Sequence, residues 1–381
     1  MRETKEVAVI TPYFPTVESR YSGTFVYDQV VALDDLVASV TVYLVKPWFR
    51  ISRKFPFVAV RTDDFRPKRP RSPTIRVEVV RYFPFPKDTL LYHLSMLLSL
   101  LSIRSRLPVV VMAHTIYPVG VAVSLLGKNP TVITHGTDYR YFIQNWRQRE
   151  RIRQLIARER VVCVSEGLKK ELEAEKVDGA NISLVENGIR LLDEVRGSAV
   201  STPPRFRFVY VGGLIKAKGV YELLEAFGSL ADAVSCPTSL TIIGDGVERG
   251  SLEEIASGMP GCSIEFLGAL DNHQVRGALA DYQCLVLPSY KEGFGRVIVE
   301  MFSAGRPVIA TVSGGPEYLV DKSTGLLVVP RDAAALSIAM QDMVENYARY
   351  DPQDLVDVVK KRFEINIQTR RLLGVALEGR A

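Results

Sequence analysis

The sequence contains few residues of the kinds that build disulfides or metal sites. Its 381 residues include four cysteines, without a C-x-x-C pair, and four histidines. The cysteines lie in or beside apolar segments, as small core residues of a protein in a reducing compartment do. The histidines are not spaced as metal ligands with acidic partners, and there is no D-x-D motif. The sequence therefore predicts neither a disulfide framework nor a bound metal.

Long apolar runs are equally scarce. Residues 1–6 are partly acidic and precede only a short apolar run, unlike a secretion signal, so we expect a cytoplasmic protein. The uncharged stretch 107–127 is long enough for a membrane span but contains histidine, proline and glycine. We predict that it forms a strand (Val109–Met112), a turn and a buried helix (Val119–Leu126) instead.

The composition is that of a globular protein, with 47% hydrophobic and 24% charged residues. A chain of this length can form two or three domains. Residues 1–200 hold 30 Lys+Arg against 21 Asp+Glu, and the excess is concentrated in residues 50–71. Residues 50–71 are interpreted either as a solvated loop or as a surface for an anionic membrane or phosphate groups. No nucleic-acid partner is expected.

Short β-type runs alternate with helical patterns along both halves of the chain. The first half contains Val7–Ile10, Val40–Val45, Arg76–Val80, Val109–Met112, Thr131–Thr134 and Arg160–Val164. The second half contains Phe206–Val211, Leu240–Ile243, Ser263–Leu267, Cys284–Pro288, Val308–Thr311 and Gly325–Val328. This alternation predicts α/β folding with parallel, helix-covered sheets. The polar stretch from Arg190 to Arg205 is interpreted as a linker between two doubly wound, Rossmann-like domains with a cleft between them.

The run KEGFGRVIVE, residues 291–300, is the most informative part of the chain. It lies between an apolar strand and apolar residues at helical spacing, so it predicts a turn at the amino end of a helix. Free backbone N–H groups and the helix dipole make such an end suitable for anions, and the two glycines allow a diphosphate to approach. Glu292 would stay on the loop and Glu300 would lie inside the helix, about 12 Å away if the whole segment were helical. Two solvated carboxylates are the alternative interpretation.

Several ordered motifs resemble the retaining glycosyltransferases of family 4, which have the GT-B fold. In the second half they are Tyr210–Leu214, Lys216–Val220, Leu240–Gly246, Ile264–Gly268, Glu292–Glu300, Gly305–Ala310 and Gly314–Glu317. In the first half they are Thr134–Asp138, Val162–Glu166 and Glu186–Gly188. The resemblance implies an acceptor-side domain over residues 1–197, joined by a final helix over 365–381. It implies a nucleotide-sugar donor domain over residues 198–364.

The implied activity is transfer of a sugar from a nucleotide-sugar, such as a UDP- or GDP-sugar, to an acceptor hydroxyl with retention of anomeric configuration. His135 would contact the sugar near its anomeric carbon and Glu292 would hold the sugar, so both are predicted catalytic residues. Lys218 would meet the diphosphate. No metal and no cofactor beyond the nucleotide-sugar substrate is expected, and the departing phosphate would act as the base.

The remaining implied contacts concern the donor. The diphosphate would meet the turn formed by Gly293, Phe294 and Gly295. Glu300 would bind the ribose, and Lys218 and Glu300 are expected to contact the donor rather than the core. Gly23 would approach the leaving phosphate, although a loop before a helix explains this glycine equally well. The other histidines, His93, His114 and His273, are interpreted as structural.

One position departs from the family pattern. Gly213 stands where the family usually has an arginine beside the donor phosphates, so the phosphate charge would be met by Lys218, with Lys216, or by nothing. A nucleotide-sugar epimerase of the same fold and a catalytically silent binding subunit are the alternative functions. The run Tyr21–Val26 with Gln29 resembles a subgroup linked to cell-wall and exopolysaccharide assembly. We therefore expect a glycan or lipid-linked acceptor and a peripheral position on the inner face of the membrane. The basic residues 50–71 and the apolar stretch Leu90–Ile103 are expected to hold the first domain on an anionic membrane there.

Overall fold

The computed structural model describes residues 3–16, 23–51, 59–61, 72–85, 89–191, 205–231, 233–259 and 261–378. The chain divides into two compact units. Unit 1 comprises Met1–Gly188 and Ile365–Ala381, and unit 2 comprises Ile189–Glu364. The division falls after Gly188 rather than after residue 197. Ile189 already belongs to unit 2, because its N–H donates to the Phe363 carbonyl at 2.8 Å and it pairs with Glu364 in a parallel bridge.

Two of the predicted segments fall largely outside the described residues. They are the linker, of which residues 192–204 are not described, and the basic surface at 50–71, whose side chains are not described. Both stay predictions.

Unit 1 contains a seven-stranded parallel sheet with the order β5-β2-β1-β6-β7-β8-β9. Its strands are β1 (Glu3–Thr11), β2 (Val37–Pro47), β5 (Ile75–Tyr82), β6 (Val110–His114), β7 (Thr131–Thr134), β8 (Arg160–Cys163) and β9 (Asn181–Leu184). Two further strands, β3 (Phe49–Ile51) and β4 (Ala59–Arg61), form a separate antiparallel pair. The central strands β6 and β7, and β1 from Val7 to Thr11, are buried and mostly apolar, as strands covered on both faces must be.

The described residues of unit 1 form seven α-helices. They are α1 (Thr24–Asp34), α2 (Leu90–Leu101), α3 (Val121–Ser124), α4 (Thr137–Arg140), α5 (Trp146–Arg158), α6 (Glu166–Glu173) and, from the end of the chain, α13 (Ile365–Leu377). Side chains that favour helix starts cap three of them: Thr89 caps α2, Asn145 caps α5 and Ser165 caps α6.

The helix predicted at Val119–Leu126 is shorter than expected. Only α3 is α-helical there, and it follows a wide turn of π type over Ile116–Gly120. Pro118 lies inside that turn and has no N–H to continue a regular helix. Among the described residues, no helix combines the length and the apolar character that a membrane crossing requires.

Unit 2 contains a six-stranded parallel sheet with the order β12-β11-β10-β13-β14-β15. Its strands are β10 (Phe206–Val211), β11 (Thr238–Ile243), β12 (Ile264–Gly268), β13 (Cys284–Leu287), β14 (Val308–Thr311) and β15 (Gly325–Val328). Its helices are α7 (Val220–Ala231), α8 (Arg249–Ser257), α9 (Asn272–Leu279), α10 (Arg296–Ser303), α11 (Ala333–Glu345) and α12 (Pro352–Val358). The predicted class, two α/β domains with parallel sheets, is confirmed.

Candidate functional site

The unit 2 sheet has its topological switch point between β10 and β13. The chain runs outward from β10 to β11 and β12, and it returns to the other side of β10 with β13. Loops leaving two such strands diverge and make room for a ligand. The loop Gly212–Gly219 continues from β10, and the loop Pro288–Gly295 continues from β13. The fold therefore brings the two predicted donor motifs together.

Lys218 and Glu292 form an ion pair between these loops. Lys218 Nζ donates to Glu292 Oε2 at 2.6 Å, and the two side chains are only 27% and 18% exposed. Glu292 Oε2 also accepts from Ser289 Oγ at 3.4 Å, and its Oε1 accepts from the Gly293 N–H at 3.1 Å. Because the pair is partly buried, solvent ions screen it less than an exposed pair. The structure thus joins a cation and a carboxylate that we had assigned to different parts of one donor.

Gly219 sets the position of Lys218. Its backbone is left-handed with a φ of +69°, and a Cβ there would lie 2.1 Å from the Pro288 carbonyl oxygen. The Tyr290 N–H donates to the Ala217 carbonyl at 3.0 Å. Glycine alone combines this φ with such a close backbone approach at little cost. The basic turn is therefore held against the loop that carries Glu292.

The predicted strand, glycine turn and helix around Gly293 and Gly295 are confirmed. Strand β13 precedes the turn, and α10 begins at Arg296 after a left-handed Gly295. The amino end of α10 has no side-chain cap. A helix start whose N-cap residue offers no side-chain acceptor leaves backbone N–H groups that suit an anion. Binding of the donor by Gly293 and Gly295 stays a prediction.

Phe294 lies in this turn but its side chain is buried. It is 5% exposed, and its ring lies edge-on to that of Phe363 with 6.0 Å between the centroids. Any contact of Phe294 with a donor would therefore use its backbone.

The expectation that Glu300 contacts the donor rather than the core is wrong as to the core, because Glu300 is buried. It is 4% exposed, and its Oε1 accepts from Arg296 Nε at 3.0 Å. It stands one turn inside α10, where all residues from Ile298 to Ser303 are buried. The helical estimate of the distance from Glu292 to Glu300 also fails, because the chain is not helical before Arg296. Contact of Glu300 with a ribose stays a prediction.

A second glycine turn, at Gly314 and Gly315, packs against the Gly293–Gly295 turn. From the sequence alone we assign it no role. A Cβ on Gly315 would lie 2.9 Å from backbone atoms of Gly293. The Glu317 carboxylate accepts from the N–H groups of Ser313 and Gly314 at 3.2 and 2.9 Å. Glu317 thereby fixes the turn on which Gly293 packs. The sequence signal was a glycine pair followed by an acidic residue, a pattern that favours such local carboxylate contacts.

Gly213 leaves open space where the resemblance implies an arginine. A Cβ at this position would have no atom within 4 Å. Its carbonyl accepts from the Tyr210 hydroxyl at 3.0 Å, which fixes the backbone. Lys216 in the same loop is exposed. Of the two lysines in this loop, Lys218 is therefore the one whose side chain is held in position, by its ion pair with Glu292.

His135 lies in unit 1 at the carboxyl end of β7. Its Nε2 is 3.0 Å from Nδ1 of His114, and the two rings lie within 6° of parallel. His114 is the last residue of β6, the neighbouring strand. Carboxyl ends of adjacent parallel strands meet at one edge of a sheet. His114, which we had interpreted as structural, is therefore the direct partner of His135, and the strand order was the signal that could have revealed it.

The hydrogen bond between these histidines has a favoured direction. His114 Nε2 is buried and has no partner among the described residues. A buried N–H without an acceptor is less favourable than an acceptor atom without a donor. His114 is therefore expected to carry its proton on Nδ1 and to donate it to His135 Nε2. His135 then carries its own proton on Nδ1, where it can donate to a ligand.

Both imidazoles are neutral at pH 7. Burial lowers the pKa of His135 to about 3. Burial, with a smaller effect of His135, lowers the pKa of His114 well below its usual value. A neutral imidazole can hydrogen-bond a sugar hydroxyl, but it does not attract a diphosphate by charge.

Asp138 fixes the backbone beside His135. Its side chain is buried, and Oδ1 accepts from the His135 N–H at 2.8 Å and from the Thr134 hydroxyl at 3.2 Å. Its Oδ2 accepts from the Ile116 N–H at 2.5 Å. Burial raises the pKa of Asp138, and these hydrogen bonds oppose the shift. Asp138 therefore ties the loop after β7 to the turn after β6.

Gly23 and Phe25 extend the cluster from the first loop. The Phe25 ring centroid lies 4.5 Å from that of His135. Gly23 is left-handed with a φ of +74°, and a Cβ there would lie 2.5 Å from backbone atoms of Tyr13 and Phe14. Gly23 therefore allows the start of α1 to pack on the loop after β1. Its contact with a leaving phosphate stays a prediction.

The predicted residues form two clusters, one in each unit. In the part of the chain that the structure describes, no three His, Cys, Asp or Glu side chains are placed to hold a metal ion.

Two family comparisons cover most of the chain. Residues 23–191 match the sequence model described as Glycosyltransferase Family 4. Residues 205–346 match the model described as Glycosyl transferases group 1.

Relatives with curated names agree with these matches. TuaC of Bacillus subtilis, a glycosyltransferase assigned by its name to teichuronic acid biosynthesis, is 27% identical over 391 aligned residues, covering 95% of this chain and 96% of TuaC. The lipopolysaccharide core biosynthesis glycosyltransferase LpsE of Rhizobium meliloti is 33% identical over 137 residues, covering 35% of this chain and 38% of LpsE.

Solved structures match the fold. Sucrose-phosphate synthase from Thermosynechococcus elongatus has a TM-score of 0.74 at 18% identity, covering 97% of this chain and 98% of that one. HepE of Anabaena in complex with UDP-glucose has a TM-score of 0.68 at 17% identity, covering 97% and 99%.

Proposed function

This chain belongs to the family 4 glycosyltransferases with the GT-B fold, and we propose that it transfers a sugar from a UDP- or GDP-sugar to an acceptor hydroxyl with retention of configuration. The observation that carries this proposal is the Lys218–Glu292 pair. It places a cation and a carboxylate 2.6 Å apart at the switch point of the unit 2 sheet. Those two groups suit the two halves of such a donor, an anionic diphosphate and a sugar with hydroxyl groups.

In the proposed complex, Lys218 turns from Glu292 to the diphosphate. Backbone N–H groups of the Gly293–Gly295 turn share the phosphate charge, and Glu292 is freed to accept hydrogen bonds from sugar hydroxyls. These groups stabilise the charge that develops on the leaving diphosphate. Because they supply that positive charge, we propose transfer without a metal. Glu300 reaches the ribose only if Arg296 shares or releases its carboxylate.

His135 is proposed to act on the transferred sugar. Its Nδ1–H can donate to a hydroxyl, and its neutral state keeps a cation away from a carbon that becomes positive in the transition state. The departing phosphate is proposed as the base for the acceptor hydroxyl. Retention rests on the family relationship.

The acceptor is proposed to be a glycan or lipid-linked glycan of the cell envelope. TuaC and LpsE are named for teichuronic acid and lipopolysaccharide core biosynthesis. Such an acceptor is consistent with a cytoplasmic enzyme peripheral to the inner face of the membrane, held there by the basic residues 50–71.

A catalytically silent binding subunit is the second candidate, and Gly213 is the observation that favours it. The test is nucleotide release and product formation with a panel of UDP- and GDP-sugars, with and without glycan acceptors. Acceptor-dependent nucleotide release with a retained anomer in the product is expected, and chelation should change little. Interconversion of donor sugars without an acceptor would identify an epimerase, and binding without turnover would identify a silent subunit.

A further inference from the structure

Helix α2 presents an apolar face to solvent. Its sequence, LLYHLSMLLSLL, contains no charged residue. Five of its leucines are between 43% and 73% exposed: Leu90, Leu91, Leu94, Leu98 and Leu101. Large exposed apolar patches are uncommon on soluble proteins and mark surfaces that bind a partner, a ligand or a membrane. These leucines are not among the residues assigned to transfer.

Aromatic side chains extend this face. Ser95 of α2 holds the segment after β5 in place, since its Oγ accepts from the Phe83 N–H at 2.7 Å and donates to the Phe83 carbonyl at 3.1 Å. Phe83 is 54% exposed, and its centroid is 6.4 Å from that of Trp48 and 6.5 Å from that of Phe85. Tryptophan is enriched where proteins meet the head groups of a bilayer. The exposed apolar surface therefore continues beyond α2 itself.

A groove of about 280 Å³ lies beside the leucines, between α2, α3 and α5. Leu90, Leu94 and the 63% exposed Leu125 contribute apolar walls. Arg151 and Arg158 line the α5 side, and none of the described residues that line the groove is acidic. Neither arginine forms a hydrogen bond or ion pair with another described residue. The groove thus combines apolar walls with two uncompensated positive charges.

We propose that α2 and this groove dock unit 1 on an anionic lipid bilayer, with the leucines among the acyl chains and Arg151 and Arg158 at the lipid phosphates. An apolar helix face with arginines at its edge complements a surface where apolar tails adjoin anionic head groups. Guanidinium groups bind phosphates through paired N–H donors, while their stems lie along apolar surface.

A second copy of this chain is a poorer occupant. A symmetric dimer contact would bring the same leucines together, but it would also place Arg151 and Arg158 near their own copies. Like charges at an interface oppose association. This site adds to the predicted basic surface at residues 50–71, and it rests on the proposed function only in that a lipid-linked acceptor would lie at the same membrane.

The test is flotation of the full chain with vesicles of phosphatidylcholine alone or mixed equally with phosphatidylglycerol. We expect the wild type to float with the anionic vesicles and to dissociate at high salt. Arg151→Gln with Arg158→Gln should lower the partition coefficient about twenty-five-fold, because each basic residue near such a surface contributes about fivefold. Leu94→Ser with Leu98→Ser should lower it at least about tenfold on both vesicle types, because less apolar area enters the bilayer.

Matched controls lie in unit 2. Lys322→Gln with Lys361→Gln removes the same charge from exposed positions, and Ile255→Ser with Ile338→Ser removes exposed apolar side chains from helices. Both controls should float like the wild type. Wild-type protein that stays unbound at low salt, or arginine variants that bind like the wild type, would overturn the proposal. So would a dimer, seen by light scattering, that only the leucine variants dissociate.

Transfer to a soluble acceptor separates this proposal from the proposed function. Both groove variants should keep wild-type transfer rates with such an acceptor, because neither pair touches the transfer residues. Vesicle binding without transfer would contradict the proposed function alone, and transfer without vesicle binding would contradict the docking site alone.

Discussion

The candidate cluster in unit 2 consists of charged side chains, whereas the one in unit 1 contains two neutral histidines. In unit 2, Lys218 and Glu292 form an ion pair between glycine turns. In unit 1, His135 and His114 are neutral rings, because burial lowers their pKa values and disfavours the charged, doubly protonated imidazolium. Residues 1–200 carry the basic excess, yet the side chain suited to a diphosphate lies in the more acidic half. Net charge acts over long range, whereas a specific anion site depends on a few fixed groups.

Glu300→Ala is expected to have the largest effect, and on stability. It leaves Arg296, whose side chain is 16% exposed, without its carboxylate, and breaking a buried pair costs about 3–5 kcal/mol. Unfolding in urea would measure the loss. Glu300→Gln should retain part of the stability, since its amide oxygen can still accept from Arg296. An Ala variant as stable as the wild type would show that Glu300 does not stabilise α10.

Lys218→Ala tests the charged cluster directly. A lost charged hydrogen bond corresponds to about 1.5–3 kcal/mol, so kcat/KM should fall roughly ten- to a hundredfold. Combining it with Glu292→Gln should give less than the summed loss, because the two residues contact each other. Exposed Lys322→Ala is the matched control. Independent, additive losses would contradict a shared role of the pair.

His135→Ala tests the neutral cluster. Turnover should fall by about tenfold or more, as for loss of one hydrogen bond in the transition state. Binding of free UDP or GDP, measured by calorimetry, should change little, because we assign His135 to the sugar. His114→Phe should give a smaller loss of turnover, since it removes only the partner that orients His135. Equal losses of nucleotide affinity and rate would place His135 at the nucleotide instead.

The pH dependence of stability should also come from the neutral cluster. Unfolded histidines bind protons below about pH 6.5, whereas folded His135 stays neutral to about pH 3. The unfolded state thus binds more protons in this window, and the free energy of unfolding falls as pH falls, by up to about 1.4 kcal/mol per pH unit for each histidine. Asp138, with its raised pKa, has the opposite effect at low pH.

The measurement is urea unfolding from pH 7 to pH 4. His114→Gln combined with His135→Gln should flatten the profile relative to the wild type, whereas the exposed His273→Gln should leave it unchanged. A wild-type profile already as flat as that of the double variant would contradict the neutral state of the pair.

Gly213→Arg should have the smallest effect. Its open surroundings accommodate the side chain, and an added phosphate contact should raise donor affinity about two- to fivefold, as exposed ion pairs contribute up to ~1 kcal/mol. Gly277→Arg, on the exposed side of α9, is the matched control. Donor affinity that does not change would show that the loop does not present this position to phosphates.

Patterns of local sequence predicted much of the fold. All twelve predicted apolar runs occur as strands of the two parallel sheets. The strands β3 and β4, of three residues each, gave no periodic signal. The polar β9 was also missed, because it lies at the edge of its sheet and is only partly buried.

The sequence by itself determined the strands, the glycine turns and the identity of most candidate residues. The spacing of apolar residues, the positions of glycines and the residues that start helices are all local properties of the chain. The tertiary structure alone decided which of these residues meet. Strand order made His114 the partner of His135, and the approach of Gly219 to Pro288 brought Lys218 to Glu292. It also buried Glu300, which the sequence could not distinguish from an exposed helix carboxylate. Burial and pairing depend on residues distant in the chain, and these set whether a group is charged, neutral or accessible.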